Sequence, residues 1–154
     1  MTRLFAIVAL ALVLGACGAS APPAPPAPAS KVTTVAAMHF VKETKAGRTS
    51  ALTFSLRNDG QAASAPVAVN IGSEYFDGFT VRSSTPTSLG ISGKGGAFRT
   101  IKFAALQPGE QQDYSIDQQA NAPGDYKFWG YIAADAANPT AEVTKWSERV
   151  VVLR

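Results

Sequence analysis

One thiol, one imidazole and 11 carboxylates are the side chains of this 154-residue chain best suited to chemistry. Cys17 follows Leu14-Gly15-Ala16 directly and is the sole cysteine, so no disulfide forms within the chain and its sulfur is left for covalent modification. His39 is the sole histidine, which removes multi-histidine metal sites and makes any Ser-His-acid triad depend on it. It alternates with Met38 and Phe40 and therefore lies on the opposite strand face from them, as a surface or inter-strand histidine. No Gly-x-Ser-x-Gly elbow accompanies it.

Two further patterns invite chemistry and do not complete it. Gly90-Ile91-Ser92-Gly93-Lys94-Gly95-Gly96 resembles a phosphate loop only in composition, because Ser88 and Gly95 stand where such a loop needs Gly and Ser or Thr. The stretch is read as a flexible loop leading into a strand. Glu74 and Asp77 are close in sequence, as are Asp113 and Asp117, but no dense carboxylate cluster forms. Asp135 to Glu142, near Asn138, is the most that a weak ion site has to draw on, against the six to eight oxygens calcium takes. No catalytic set, cofactor or metal centre is expected, and the chain is read as a non-enzyme.

The elements around Cys17 explain that residue better than any reaction does. Arg3 supplies a positive start and Leu4 to Leu14 is an uncharged apolar run of 11 residues. A bilayer span takes about 20 apolar residues, so residues 1–16 read as a signal peptide. The end of the run resembles the lipobox of bacterial lipoproteins, carried here by Leu14, Gly15, Ala16 and Cys17. That resemblance implies cleavage before Cys17, a diacylglyceryl thioether on its sulfur and a further acyl chain on its amino group. Two or three acyl chains hold a protein stably at a membrane, where one alone is marginal. Gly18 stands where Gram-negative lipoproteins retained at the inner membrane carry Asp, which favours the outer membrane where the cell has one.

Residues 17–30 continue as a linker. Pro22, Pro23, Pro25, Pro26 and Pro28 are five of the chain's 10 prolines. Proline lacks the amide donor and biases its predecessor toward extended geometry, so the segment reads as a polyproline II stalk reaching roughly 40 Å from the lipid.

Residues 31–154 suffice for one domain. Its 13 basic and 11 acidic side chains are scattered, with no stripe or run, which argues against nucleic acid as a partner. Leu52, Phe54 and Leu56 alternate with Thr53, Ser55 and Arg57, and the same period of two recurs at Val67–Ile71, Phe79–Arg82, Ile101–Phe103 and Tyr114–Ile116. With an opening strand at Ala36–Val41, one at Tyr126–Ala133 and a last at Arg149–Leu153, the pattern predicts an all-β antiparallel sandwich of about seven or eight strands. Asn58-Asp59-Gly60, Pro108-Gly109 and Pro123-Gly124 supply its turns.

In the strand ending at Asn58 and Gly60, in Leu106 with Pro108-Gly109-Glu110, and in Gly124 followed by Tyr126, the domain resembles the Ig-like repeats of bacterial surface proteins, the group that includes CARDB-type domains. Tyr126 is a candidate tyrosine corner, its hydroxyl bonded back to the preceding loop.

One strand departs from a one-sided pattern. Tyr126, Phe128, Gly130 and Ile132 share one face and Lys127, Trp129 and Tyr131 the other, so aromatic bulk stands on both. If the first set fills the core, Trp129 and Tyr131 point outward, and Trp146 near the last strand is expected to join them. Exposed aromatic clusters mark protein or carbohydrate contacts. The expectation is a lipid-anchored envelope protein whose Ig-like module binds an envelope protein or glycan. The alternative is an accessory subunit tethering an envelope enzyme or transporter component, with a hydrolase disfavoured.

Overall fold

The computed structural model describes residues 27–138 and 140–154. Cys17, the signal segment and most of the proline-rich run lie outside the described residues. Among those described, no helix is long and apolar enough to cross a membrane.

The described residues form ten strands: β1 (Val32–His39), β2 (Glu43–Lys45), β3 (Thr49–Asn58), β4 (Ala68–Gly72), β5 (Phe79–Thr85), β6 (Gly90–Ser92), β7 (Phe98–Lys102), β8 (Gln111–Ala120), β9 (Gly124–Ala133) and β10 (Glu142–Leu153). A 3₁₀ turn, Ser73–Asp77, follows β4. One sheet runs β1-β3-β8-β5 and the other β2-β10-β9-β4-β7-β6, antiparallel throughout except where β2 pairs parallel with β10. The orders β1-β3-β8-β5 and β10-β9-β4 reproduce the ABED and GFC sheets of an Ig-like β-sandwich, and β7 and β6 widen the second sheet beyond β4.

Both sheets contribute to one core. Leu52 and Ile116 from the smaller sheet meet Val69, Ile71, Ile101 and Ile132 from the larger, all fully buried. Rings gather at its two ends. Phe54 stacks on Tyr114 at 4.6 Å with Phe103 edge-on at 4.9 Å, while Tyr75 stacks on Phe79 at 4.3 Å and tilts against Phe128 at 4.7 Å.

The strand count exceeds the expected eight because β2 and β6 are three-residue segments with no periodicity to read. β6 lies inside the stretch expected to be a loop. Gly93 and Gly95, at φ +85° and +86°, turn the chain tightly enough for Gly90–Ser92 to pair with Thr100–Lys102. β10 begins at Glu142 rather than Arg149, because its polar first half pairs with β9, with one register shift between Glu142 and Thr144. β1 opens at Val32 rather than Ala36 and ends at His39, with register shifts on either side of Ala36.

Candidate functional site

Residues 29–31 are stitched to the sandwich. Asn58, at the end of β3, is fully buried and meets four partners. Its Nδ2 donates to Ala62 O at 2.8 Å and Leu106 O at 3.0 Å, and its Oδ1 accepts from Lys31 N and Gly60 N, each at 3.0 Å. Asp59 N donates to Lys31 O at 2.8 Å and Gln61 N to Ala29 O at 3.0 Å. Gly60 leaves no room for a Cβ beside Ser30 and Ala29. Gly109, at φ +75°, closes the Pro108-Gly109 turn of Gln107–Glu110 with Glu110 N on Gln107 O at 3.0 Å, and its own amide donates to Asn58 O at 2.8 Å. Because β3 runs from Thr49 down to this base, the opposite end carries the 3₁₀ turn and the β6–β7 hairpin, away from residues 29–31.

At that far end Tyr126 makes the bond of a tyrosine corner. Its Oη donates to Ala122 O at 3.1 Å, and its ring lies over Gly78 and Gly124, where a Cβ would collide with it.

The outer face of the larger sheet holds the aromatics. Phe98 meets Trp129 edge-to-face at 4.6 Å and Tyr131 at 5.3 Å. All three are half-buried. The indole of Trp129 lies flat on Gly72, its Nε1 donates to Glu74 Oε1 at 2.6 Å, and Lys127 Nζ sits 5.1 Å from its ring. Lys145 and Arg149 edge the same face, paired with Glu142 at 3.8 Å and Asp125 at 3.3 Å. This covering makes β4 buried on both sides, with Thr100 Oγ1 donating to Asn70 Oδ1 at 2.7 Å between the outer rows.

Trp146 does not join this face, contrary to the sequence-based expectation. It stands directly across from Gly130, and with no side chain there its ring turns inward onto Phe128, 5.4 Å away. The partner that the sequence does not reveal is Phe98, which follows the glycine-rich Gly90–Gly96 stretch. Its only signal was the alternation Phe98, Thr100, Lys102, legible once β7 is known to start there.

Next to this face, at the far end, an open cleft of about 520 Å³ is lined by Ser73, Glu74, Phe76, Asp77, Lys94 and Arg99 with the Gly95-Gly96 backbone. The Arg99 guanidinium lies over the Phe76 ring at 4.6 Å. Its Nε is buried without a hydrogen-bond partner.

His39 is exposed, as its alternation indicates, and shares a shallow groove on the smaller sheet with Ser55, Asp113 and Ser115. Ser55 Oγ donates to Asp113 Oδ1 and Ser83 Oγ to Asp117 Oδ2 at 2.7 Å, so each acid holds a serine. Among the described residues the His39 side chain makes no hydrogen bond, and the nucleophile-to-base contact of a triad is not made. In the Asp135–Glu142 segment Asp135 Oδ1 accepts from Ala137 N at 2.8 Å and Asn138 Oδ1 from Thr140 N at 3.1 Å, while Glu142 turns to Lys145. Among the described residues no three metal-ligating side chains come together.

No protein-family model matches the sequence, and no curated protein matches it. Among solved structures, the chain is similar to the CARDB domain of a Pyrococcus furiosus protein, crystallised with di-metal ions, at 12% identity and a TM-score of 0.48 over 80% of this chain and 93% of that one. A cohesin module of a Clostridium perfringens family 33 glycoside hydrolase is similar at 13% identity and a TM-score of 0.47, covering 79% and 98%. The alkylpurine DNA glycosylase AlkC of Pseudomonas fluorescens is similar at 14% identity and 0.46, covering 78% of this chain and 30% of its own. The strand order, rather than these likenesses, defines the fold as Ig-like.

Proposed function

We propose that the chain is a bacterial envelope lipoprotein, held by acyl chains on Cys17 and carrying one non-catalytic Ig-like module on a proline-rich stalk. In a cell with an outer membrane, that membrane is its site. The module binds an envelope protein or glycan through the outer face of its larger sheet. The observation that carries this reading is the cluster of Phe98, Trp129 and Tyr131, three half-buried rings gathered on a face that a two-sheet sandwich leaves to solvent. The lipobox-like Leu14-Gly15-Ala16-Cys17 and the prolines after it support the anchoring half.

The test compares the full-length protein with a Trp129→Ser, Tyr131→Ser version in capture from detergent-solubilised envelope. Components that depend on the rings are expected to be lost from the double variant while its melting curve stays cooperative. Identical captured sets would overturn the reading.

A further inference from the structure

We infer that the cleft at Arg99 is a subsite for the carboxylate of an acidic glycan. The inference rests on the binding-face reading above and assigns a ligand chemistry to its far end.

Arg99 carries the argument. A guanidinium is always charged and presents a rigid fork suited to a carboxylate. Here it makes no ion pair among the described residues, and its Nε is buried with no hydrogen-bond partner. The Nε is closed to a ligand, but the Nη groups are not buried and make no hydrogen bond among the described residues, so that end of the fork is open to an incoming carboxylate. Phe76 fixes the plane of the fork from one side at 4.6 Å, so little side-chain freedom is left to lose on binding. Lys94, exposed on the hairpin, supplies a second cation at the rim.

The rest of the wall selects the class of molecule. Ser73, Glu74, Asp77 and the glycine backbone offer hydrogen bonds for hydroxyl groups, and Phe76 is the single apolar side chain. That lining suits a sugar better than an apolar peptide side chain. Glu74 joins the cleft to the aromatic face, since the same carboxylate accepts the Trp129 Nε1 bond at 2.6 Å. A short oligosaccharide therefore meets hydroxyl partners and Arg99 in the cleft and flat rings beside it. Asp77, exposed at the mouth, is the one wall group whose charge opposes a carboxylate and that no protein donor engages among the described residues.

The test titrates tri-galacturonate, and its neutral methyl ester, into the full-length lipoprotein in detergent micelles by calorimetry. The acid is expected to bind saturably, with the ester and the Arg99→Ala protein weaker by about tenfold or more. Arg99→Lys keeps the charge but not the fork and is expected to recover only part of the affinity. Asp77→Asn, at an exposed position that carries no fold risk, is expected to bind the acid several-fold more tightly. Equal binding of acid and ester, an unchanged affinity in Arg99→Ala, or no saturable binding of the acid would each overturn the inference. A short acidic peptide that binds as well as the uronate would overturn its glycan assignment. If Arg99 variants retain full envelope capture while Trp129→Ser, Tyr131→Ser loses it, the carboxylate subsite falls and the aromatic face stands.

Discussion

Trp129 Nε1 donates to Glu74 Oε1 at 2.6 Å, and this bond ties β9 to the 3₁₀ turn across the outer face of the larger sheet. The indole is thereby held flat on Gly72 instead of standing into solvent. Glu74→Ala is expected to free the ring at a stability cost of about 1 kcal/mol, since the acceptor is exposed and water replaces it. Because both tryptophans contribute to emission, a Trp146→Phe background isolates the Trp129 signal, which is expected to shift to the red.

The two tryptophans separate by burial partner. Trp146 packs on Phe128 against the core and Trp129 on the outer surface, so Trp146→Ala is expected to cost about 3 kcal/mol or more and Trp129→Ala clearly less. Urea unfolding of both variants checks the order.

Asn58 predicts the largest effect of a polar substitution. Four hydrogen bonds converge on its buried amide, joining Lys31 ahead of β1, the turn after β3 and the loop after β7. Asn58→Ala leaves Lys31 N, Gly60 N and Ala62 O without that partner, while Leu106 O keeps Ser64 N at 2.9 Å, and is expected to cost about 3 kcal/mol, measured from the shift in urea midpoint at constant slope.

Gly130 and Gly95 form a matched pair. A Cβ at Gly130 would strike Asn70 O on the neighbouring strand and come within 2.8 Å of the Trp146 ring, whereas one at Gly95 meets nothing but carries the strain of φ +86°. Gly130→Ala is expected to lose several kcal/mol or fail to fold, and Gly95→Ala about 1 kcal/mol. Thermal melts of the two proteins give the comparison.

Alkali is expected to unfold the domain through its buried phenols. Burial, with Glu110 adding to it, pushes the Tyr114 hydroxyl up to about 12, and burial pushes Tyr75 higher still. The unfolded chain releases these protons near pH 10, so above that pH it binds fewer protons than the native state and stability falls, by up to about 1.4 kcal/mol per pH unit per group. For Tyr114 the fall runs from about pH 10 to 12 and then stops. Tyr114→Phe is expected to flatten this slope in urea midpoints measured across that range.

Legibility in the sequence followed the strength of alternation. Leu52, Phe54 and Leu56 announce β3, and Tyr114 and Ile116 announce β8, because one face of each is core and the other polar. β2 and β6 are set by pairing with neighbours instead of by their own side chains, so three residues carry no period to see. Trp129 and Tyr131 stand out as a second aromatic face on β9, yet the direction of Trp146 depends on the missing side chain at Gly130, a cross-strand relation that a linear reading cannot supply. Arg99 is equally silent in sequence: its isolation depends on a hairpin and a 3₁₀ turn closing around it.

Lipid tethering of this sandwich at Cys17 is the central claim of the proposed function, and the intact mass of the protein purified from membranes tests it most directly. The account predicts a chain beginning at Cys17 whose mass exceeds the peptide by a diacylglyceryl group and an added acyl chain, with Cys17→Ser abolishing both and releasing the domain. A membrane-derived chain with a free Cys17 thiol, or one cleaved elsewhere, would contradict it.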